Sequence, residues 1–390
     1  MEYFKDVVCI APVDWEPLKT RIQNIMIRLP KDCKILYVEP PVTYISYLKD
    51  KNVKDKMDKY KKGIRKVEEN IFVITPPPFI PFYNMYPLIN RINQKRLALF
   101  LKPIINKLGL ENYVLWTYLP NSIELLGKLH EKFVIYDCVD EHSEFTGLIN
   151  KDVVLEMEKG LIEKSDLVFY SAKNLYERKK IHNKNSYLIP NAADIDLFLK
   201  STFPETPIAQ DIANIKKPII GFIGAIHDWI DLDVIKYIAE KRPEWSIVMI
   251  GPVGPNIDIK DLEKLNNLHF LGKRSPSDLP KYLKAFDVCI NPFKLNNLTE
   301  NVNPLKIYEY LASGKPIVSS KMKEILHFSD IIYFAESGED FIKKIEKALS
   351  ENKEKVNKRI EVAKENSWDR RMEVISNIIE NYHNNEIETS

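Results

Sequence analysis

The 390-residue chain is poor in glycine, in cysteine and in net charge. Its 12 glycines are under half the usual share of roughly 7%, which excludes collagenous and low-complexity architectures and makes each glycine informative. Four cysteines, Cys9, Cys33, Cys138 and Cys289, are too scattered for a disulfide scaffold. Three fall in apolar runs where a thiol packs as a small hydrophobe, so reduced, structural thiols in a cytoplasmic protein are expected. Lys and Arg number 57 against 55 Asp and Glu, a balance that gives no electrostatic footprint for nucleic acid. No run of about eighteen uncharged apolar residues occurs, which argues against a spanning helix. The opening MEYFKDVVCIAPVDW has no basic leader before a long apolar stretch, so no secretory signal is expected. G-x-G-x-x-G is missing, GFIGAI supplying only Gly-x-x-Gly; G-x-x-x-x-G-K-[ST] and zinc-spaced Cys/His clusters are missing too. That removes the Rossmann dehydrogenase fingerprint, the P-loop and a structural zinc site.

What is present is alternation. VVCIA (7–11), KILYVE (34–39), IFVI (71–74), YVLW (113–116), FVIYD (133–137), LVFYS (167–171) and SYLI (186–189) are short β-rich runs separated by longer helical patterns. A second series follows: PIIGFIG (218–224), SIVMIG (246–251), LHFLG (268–272), DVCINP (287–292), PIVSS (316–320) and IIYFA (331–335). Such alternation predicts βαβ units on parallel sheets, and the chain length predicts two domains. The stretch 191–217, with Pro204, Pro207 and no sustained period, reads as the connection. Beyond residue 339 the pattern is helical only.

Seven of the 12 glycines lie between 221 and 338, and Gly224, Gly251 and Gly272 each close a predicted strand. Parallel sheets bind ligands beyond the carboxyl ends of their strands, where bare backbone amides approach phosphate. Tight βα turns explain any one of these glycines; three in register point to a ligand rim.

In NPLKIYEYLASGKPIV (303–318), Pro304 suits a first helical turn, Gly314 a C′ position, and Pro316 blocks continuation, so a helix is predicted from about 304 to 313. Lys306 and Glu309 then share a face. A first-turn lysine opposes the helix dipole, which fits an external phosphate at the site, with Glu309 placed to accept ribose hydroxyls. A plain Lys–Glu surface pair, worth ~0.3–0.5 kcal/mol, is the alternative.

This segment resembles the nucleotide-sugar-binding segment of GT-B glycosyltransferases, the family-4-like kind and especially the bacterial cell-surface polysaccharide (teichuronic-acid-type) branch. The resemblance extends to LIPNAADIDLF (188–198) as the hinge, IIGFIGAIHDWIDLDVIKYIAEKRPEWSIVMIGP (219–252) and FLGKRSPSDLPKYLKAFDVCINPF (270–293) in the second domain, VLWTYLP (114–120) and IYDCVDEHSEF (135–145) in the first, and NSWDRR (366–371) at the closing helix. It implies two Rossmann-like domains facing across a cleft. The first, residues 1–190, would bind acceptor and take back a C-terminal helix at about 370–390; the second, 191–369, would bind the nucleotide-sugar. It implies a hexosyl transfer from a nucleotide-sugar, UDP by family analogy, to a glycan or lipid-linked acceptor, with no metal and no cofactor. Glu309 matches the ribose-holding second glutamate of the family motif. The first position falls on Asn301, with Glu300 beside it, a departure from the paired-acid pattern. AIHDW after Gly224 lacks the basic residue many relatives aim at the diphosphate, leaving Lys273, Arg274 and Lys306. A nucleotide-sugar epimerase of the same fold and a non-catalytic glycan- or nucleotide-binding subunit are the rival readings.

On the acceptor side, IYDCVDEHSEF offers Asp140 as a general base, with Asp137 and His142 as rivals; an Asp capping the next helix is the structural alternative. Asp14, Trp15 and Arg21 follow the first strand and resemble acceptor-facing residues of relatives, Trp15 as a sugar-stacking or packing ring. Asp231-Leu232-Asp233 and Asp194-Ile195-Asp196 read as acidic helix starts, not metal ligands. Residues 49–66 carry nine basic residues against three acidic, and PPPFIPFYNMYP (76–87) follows. Together, 44–87 predict a peripheral dock on the inner face of the plasma membrane, against a simple solvated lysine-rich loop.

Overall fold

The computed structural model describes residues 4–16, 19–44, 52–145, 147–255 and 257–389, without the side chains of 52–56 and 385–389. Residues 45–51 of the expected membrane segment lie outside the described residues. The chain divides into two compact units, residues 1–190 with 372–390, and residues 191–371.

In unit 1 the order is β1 (Val7–Ile10), α1 (Arg21–Met26), β2 (Ile35–Val38), α2 (Asn52–Lys62), β3 (Arg65–Lys66), β4 (Ile71–Ile74), α3 (Pro87–Leu108), β5 (Val114–Thr117), β6 (Phe133–Cys138), α4 (Lys151–Lys164), β7 (Leu167–Tyr170), α5 (Lys173–Lys179) and β8 (Ser186–Leu188). These strands form one sheet, β3-β4-β2-β1-β5-β6-β7-β8, parallel except for the β3–β4 pair. Strands β1, β2, β5 and β7 are buried at every residue. That is why they read as unbroken apolar runs rather than alternating ones.

Unit 2 comprises α6 (Ile195–Leu199), β9 (Ile219–Ile223), α7 (Leu232–Lys241), β10 (Ser246–Ile250), β11 (Leu268–Gly272), α8 (Leu279–Ala285), β12 (Val288–Asn291), α9 (Leu305–Ala312), β13 (Ile317–Ser320), β14 (Tyr333–Ala335), α10 (Gly338–Leu349) and α11 (Glu354–Glu365). Its sheet is β11-β10-β9-β12-β13-β14, parallel throughout. One core layer, with Ile307, Leu311 and Phe286, covers one face. A second, with Ile235, Ile238 and Phe341, covers the other. The last helix, α12 (Trp368–Thr389), starts where Trp368 N donates to Ala193 O. It ends in unit 1, with the Tyr382 hydroxyl 3.1 Å from Asp166.

The helix starts obey elementary capping. Asp231 and Asp194 are N-caps whose carboxylates accept from the backbones of Val234 and Leu197, which accounts for both Asp-x-Asp patterns. Helix α9 begins after Pro304 and ends at Ser313, with Gly314 at φ +69° in the C′ position.

Candidate functional site

In each sheet the strand order reverses beside its first strand, β1/β5 in unit 1 and β9/β12 in unit 2. Open parallel sheets bind their ligands beyond the carboxyl ends of the strands at such a reversal.

In unit 2 the three glycines stand side by side. Gly224 N donates to Ile250 O at 2.8 Å and Gly251 N to Gly272 O at 3.0 Å. A Cβ on Gly251, at φ +148°, would sit 1.8 Å from the Gly224 carbonyl oxygen, so side-chain-free backbone is obligatory at this rim. The loops after β9 and β12 are laced together by Asp231 N to Pro292 O (2.8 Å) and Lys294 N to Trp229 O (2.9 Å). Helix α9 is fixed to the same end of the sheet, because Ile223 N donates to the Tyr310 hydroxyl at 2.8 Å.

On α9, Lys306 Nζ meets Glu309 Oε2 at 2.8 Å. Glu309 is only 5% exposed; burial raises its pKa, and the Lys306 ammonium opposes that rise. The surface-pair alternative therefore gives way to a buried carboxylate held by one lysine. Asn301 is buried and donates to Asn297 O at 2.6 Å, which makes it a strut of the loop before α9. Neighbouring Glu300 pairs instead with Lys323. Arg274 is engaged by Asp211 at 2.6 Å and by the Tyr282 hydroxyl at 2.7 Å. Lys273 is exposed and forms no ion pair among the described residues. His227 stacks on Trp229 with ring centroids 4.2 Å apart and bonds Asp228 at 2.6 Å. One anchor the sequence does not announce is Asn303: its Oδ1 accepts from Asn191 N, and its carbonyl accepts from Asn191 Nδ2 at 2.7 Å.

In unit 1 the segment after β6 separates the three base candidates. Asp137 is fully buried, and its carboxylate accepts from Arg21 Nε at 3.0 and 3.1 Å. Arg21 is buried too, with Nη1 donating to Ile189 O at 2.7 Å. This corrects the expectation for both residues: Asp137 and Arg21 are buried from solvent and pair with each other inside the unit. Asp140 differs. It is partly exposed, caps no helix, since Glu141 precedes the following turn, and its carboxylate has no hydrogen-bond partner among the described residues. Burial pushes its pKa up to about 7, with the Lys179 charge acting the other way. His142 is buried, burial lowers its pKa, and its Nε2 has no partner among the described residues.

Behind this turn lies an ion cluster. Lys179, itself buried, meets Glu158 at 2.8 Å and Glu141 at 3.2 Å. After β1, Trp15 packs edge-on against Tyr37 with centroids 5.0 Å apart. Its backbone N–H donates to the buried Glu39 at 3.1 Å, and Asp14 lies 3.7 Å from Lys59. Among the described residues no three His, Cys, Asp or Glu side chains converge as a metal site.

Residues 217–351 match the family model described as Glycosyl transferases group 1, which covers most of unit 2. Two parallel-sheet α/β units, the second carrying that domain, have the GT-B architecture, and the domain match supports a glycosyltransferase. More particularly, the chain is 28% identical over 284 residues to TuaH of Bacillus subtilis (strain 168), a glycosyltransferase assigned to teichuronic acid biosynthesis, across 66% of this chain and 69% of that protein. Similar solved structures include Anabaena HepE in complex with UDP and glucose (TM-score 0.67, 13% identity, 97% of this chain and 99% of that one). They also include sucrose-phosphate synthase from Thermosynechococcus elongatus (TM-score 0.68, 14% identity, 99% and 100%). At these identities the likeness is one of fold.

Proposed function

We propose that this glycosyltransferase moves a sugar from a UDP-sugar, held on unit 2, to a glycan or lipid-linked glycan acceptor, held on unit 1, in cell-surface polysaccharide synthesis. The observation that carries the donor half is the side-chain-free rim of Gly224, Gly251 and Gly272 beside the pair of half-buried Lys306 and buried Glu309. Bare amides near Gly224 and the cations of Lys306 and Lys273 suit a diphosphate, and Glu309 suits a pair of ribose hydroxyls. Arg274, bound to Asp211, plays a supporting part at most, and Asn301 shapes the loop. UDP is favoured because HepE was solved with UDP and glucose. A cell-surface glycan is favoured because TuaH is assigned to teichuronic acid. The epimerase alternative gains nothing from these relatives.

On unit 1, Asp140 is the base that deprotonates the acceptor hydroxyl, with His142 as the second candidate and Trp15 and Asp14 lining the acceptor side. No metal is assigned to the reaction, and the membrane surface is the place of the acceptor. A thermal-shift panel of UDP, GDP and their sugars tests the donor assignment. UDP and UDP-sugars are expected to raise the Tm of wild type, and Glu309→Ala to lose most of that rise. Equal stabilisation of both proteins would remove Glu309 from the site.

A further inference from the structure

Helix α3 carries its apolar residues on two opposite faces. Asn90, Asn93, Leu97, Ala98, Leu101 and Ile105 are buried against unit 1. On the outward side, Leu88, Ile92 and Leu99 are 66%, 42% and 63% exposed. Their spacings of four and seven residues place them in one row about 16 Å long. The outward row of an ordinary surface helix is polar, and aligned exposed aliphatics mark an interaction surface.

The charge on this helix has one sign. Its 22 residues include Arg91, Lys95, Arg96, Lys102 and Lys107 and no Asp or Glu. Arg91 is matched by Glu124 at 3.3 Å, while Lys95 and Lys107 are exposed and form no ion pair among the described residues. The lysine-rich helix α2 lies alongside, its Tyr60 ring 6.2 Å from that of Phe100 on α3. A second pair of exposed apolar side chains lies in a loop linked to the approach to α3. Phe145 and Leu148 are 39% and 50% exposed, in the loop that leaves the Asp140–His142 turn. That loop is tied to the approach to α3 by Asn150 N donating to Asn84 O at 3.1 Å.

We propose that the outward row of α3, with Phe145 and Leu148, seats unit 1 on an anionic phospholipid bilayer. The proposal rests on the assignment of a membrane-borne acceptor above and moves the seat from residues 44–87 to the helix that follows them. Aliphatic side chains enter the interface while the flanking lysines meet lipid phosphate, the pairing of signals that reversible membrane attachment requires. A second copy of this chain fits poorly, because it would set one all-basic helix against another. The loop from the Asp140 turn then borders the lipid surface, where the headgroup-proximal sugar of an embedded acceptor is presented.

Co-flotation of the full chain with phosphatidylcholine vesicles, with and without phosphatidylglycerol, tests this directly. Wild type is expected to float with the anionic vesicles only, and increasingly less as salt rises. The triple variant Leu88→Ser, Ile92→Ser, Leu99→Ser, altered only at exposed positions, is expected to lose at least about ten-fold in bound fraction. Its Tm and its UDP-induced thermal shift should stay those of wild type, so a failed seat is distinguishable from a failed donor assignment. Undiminished flotation of the triple variant would overturn the proposal. So would wild type that floats with neither vesicle, or a variant whose sedimentation shows loss of self-association in place of loss of lipid binding.

Discussion

Asp140 is the residue proposed as the base of unit 1. An unfolded Asp carboxyl titrates near 4, whereas in the folded protein burial moves this one to about 7. A base must be ionised, so kcat/KM is expected to fall on the acid side with a midpoint near pH 7. Asp140→Asn should lower transfer by roughly 10²–10⁴-fold while leaving UDP-induced stabilisation intact; full turnover in that variant would exclude the assignment. The stability effect has a definite sign. A raised carboxyl favours the folded state only while it is protonated, and that contribution fades as pH climbs from 4 through 7. Asp140→Asn should therefore raise Tm more at pH 8 than at pH 4, by a few degrees. The sequence placed Asp140 in the turn after a strand and preferred it, but kept Asp137 and His142 as rivals. The difference lies in a contact spanning 116 positions, Arg21 to Asp137, which no local pattern reveals. Lys179 was equally hidden, because a lysine on a charged helix reads as solvated until Glu141 and Glu158 are brought to it from elsewhere in the chain.

At the scale of elements, the legible features were those with a local cause. Parallel strands buried on both faces leave apolar runs, so the runs from VVCIA to IIYFA coincide closely with strands. The exception is β3, two residues, Arg65 and Lys66, paired antiparallel to β4 inside a lysine-rich stretch where no apolar signal exists. Pro304 and Gly314 bounded α9 because fixed φ and left-handed φ are backbone demands that only certain residues meet cheaply. The three glycines were legible as strand ends, but their adjacency depended on the order β11-β10-β9. That adjacency makes Gly251 sensitive. Gly251→Ala is expected to cost more than about 1–3 kcal/mol, since a methyl group would overlap the Gly224 carbonyl at a backbone angle alanine resists, and to abolish the UDP-induced thermal shift. Gly160→Ala, in the middle of α4 with its nearest neighbour 3.7 Å away on Ile123, should instead be neutral or stabilising by about 0.5–1 kcal/mol. Denaturant unfolding of both variants measures the contrast.

At the scale of the molecule, unit 1 has its own sheet and core around Leu36, Leu101 and Leu115, and unit 2 has cores on both faces of its sheet. At the carboxyl-end rims stand different groups: the raised carboxylate of Asp140 on one, and glycines with half-buried Lys306 and buried Glu309 on the other. The central claim is that the sugar nucleotide belongs to the second rim. Photolabelling with 5-azido-UDP-glucose, followed by mass spectrometric mapping of the modified peptides, tests it most directly. Label suppressed by excess UDP is expected in the segments 224–231 and 291–310 of unit 2. UDP-protected label confined to residues 1–190 would contradict the account.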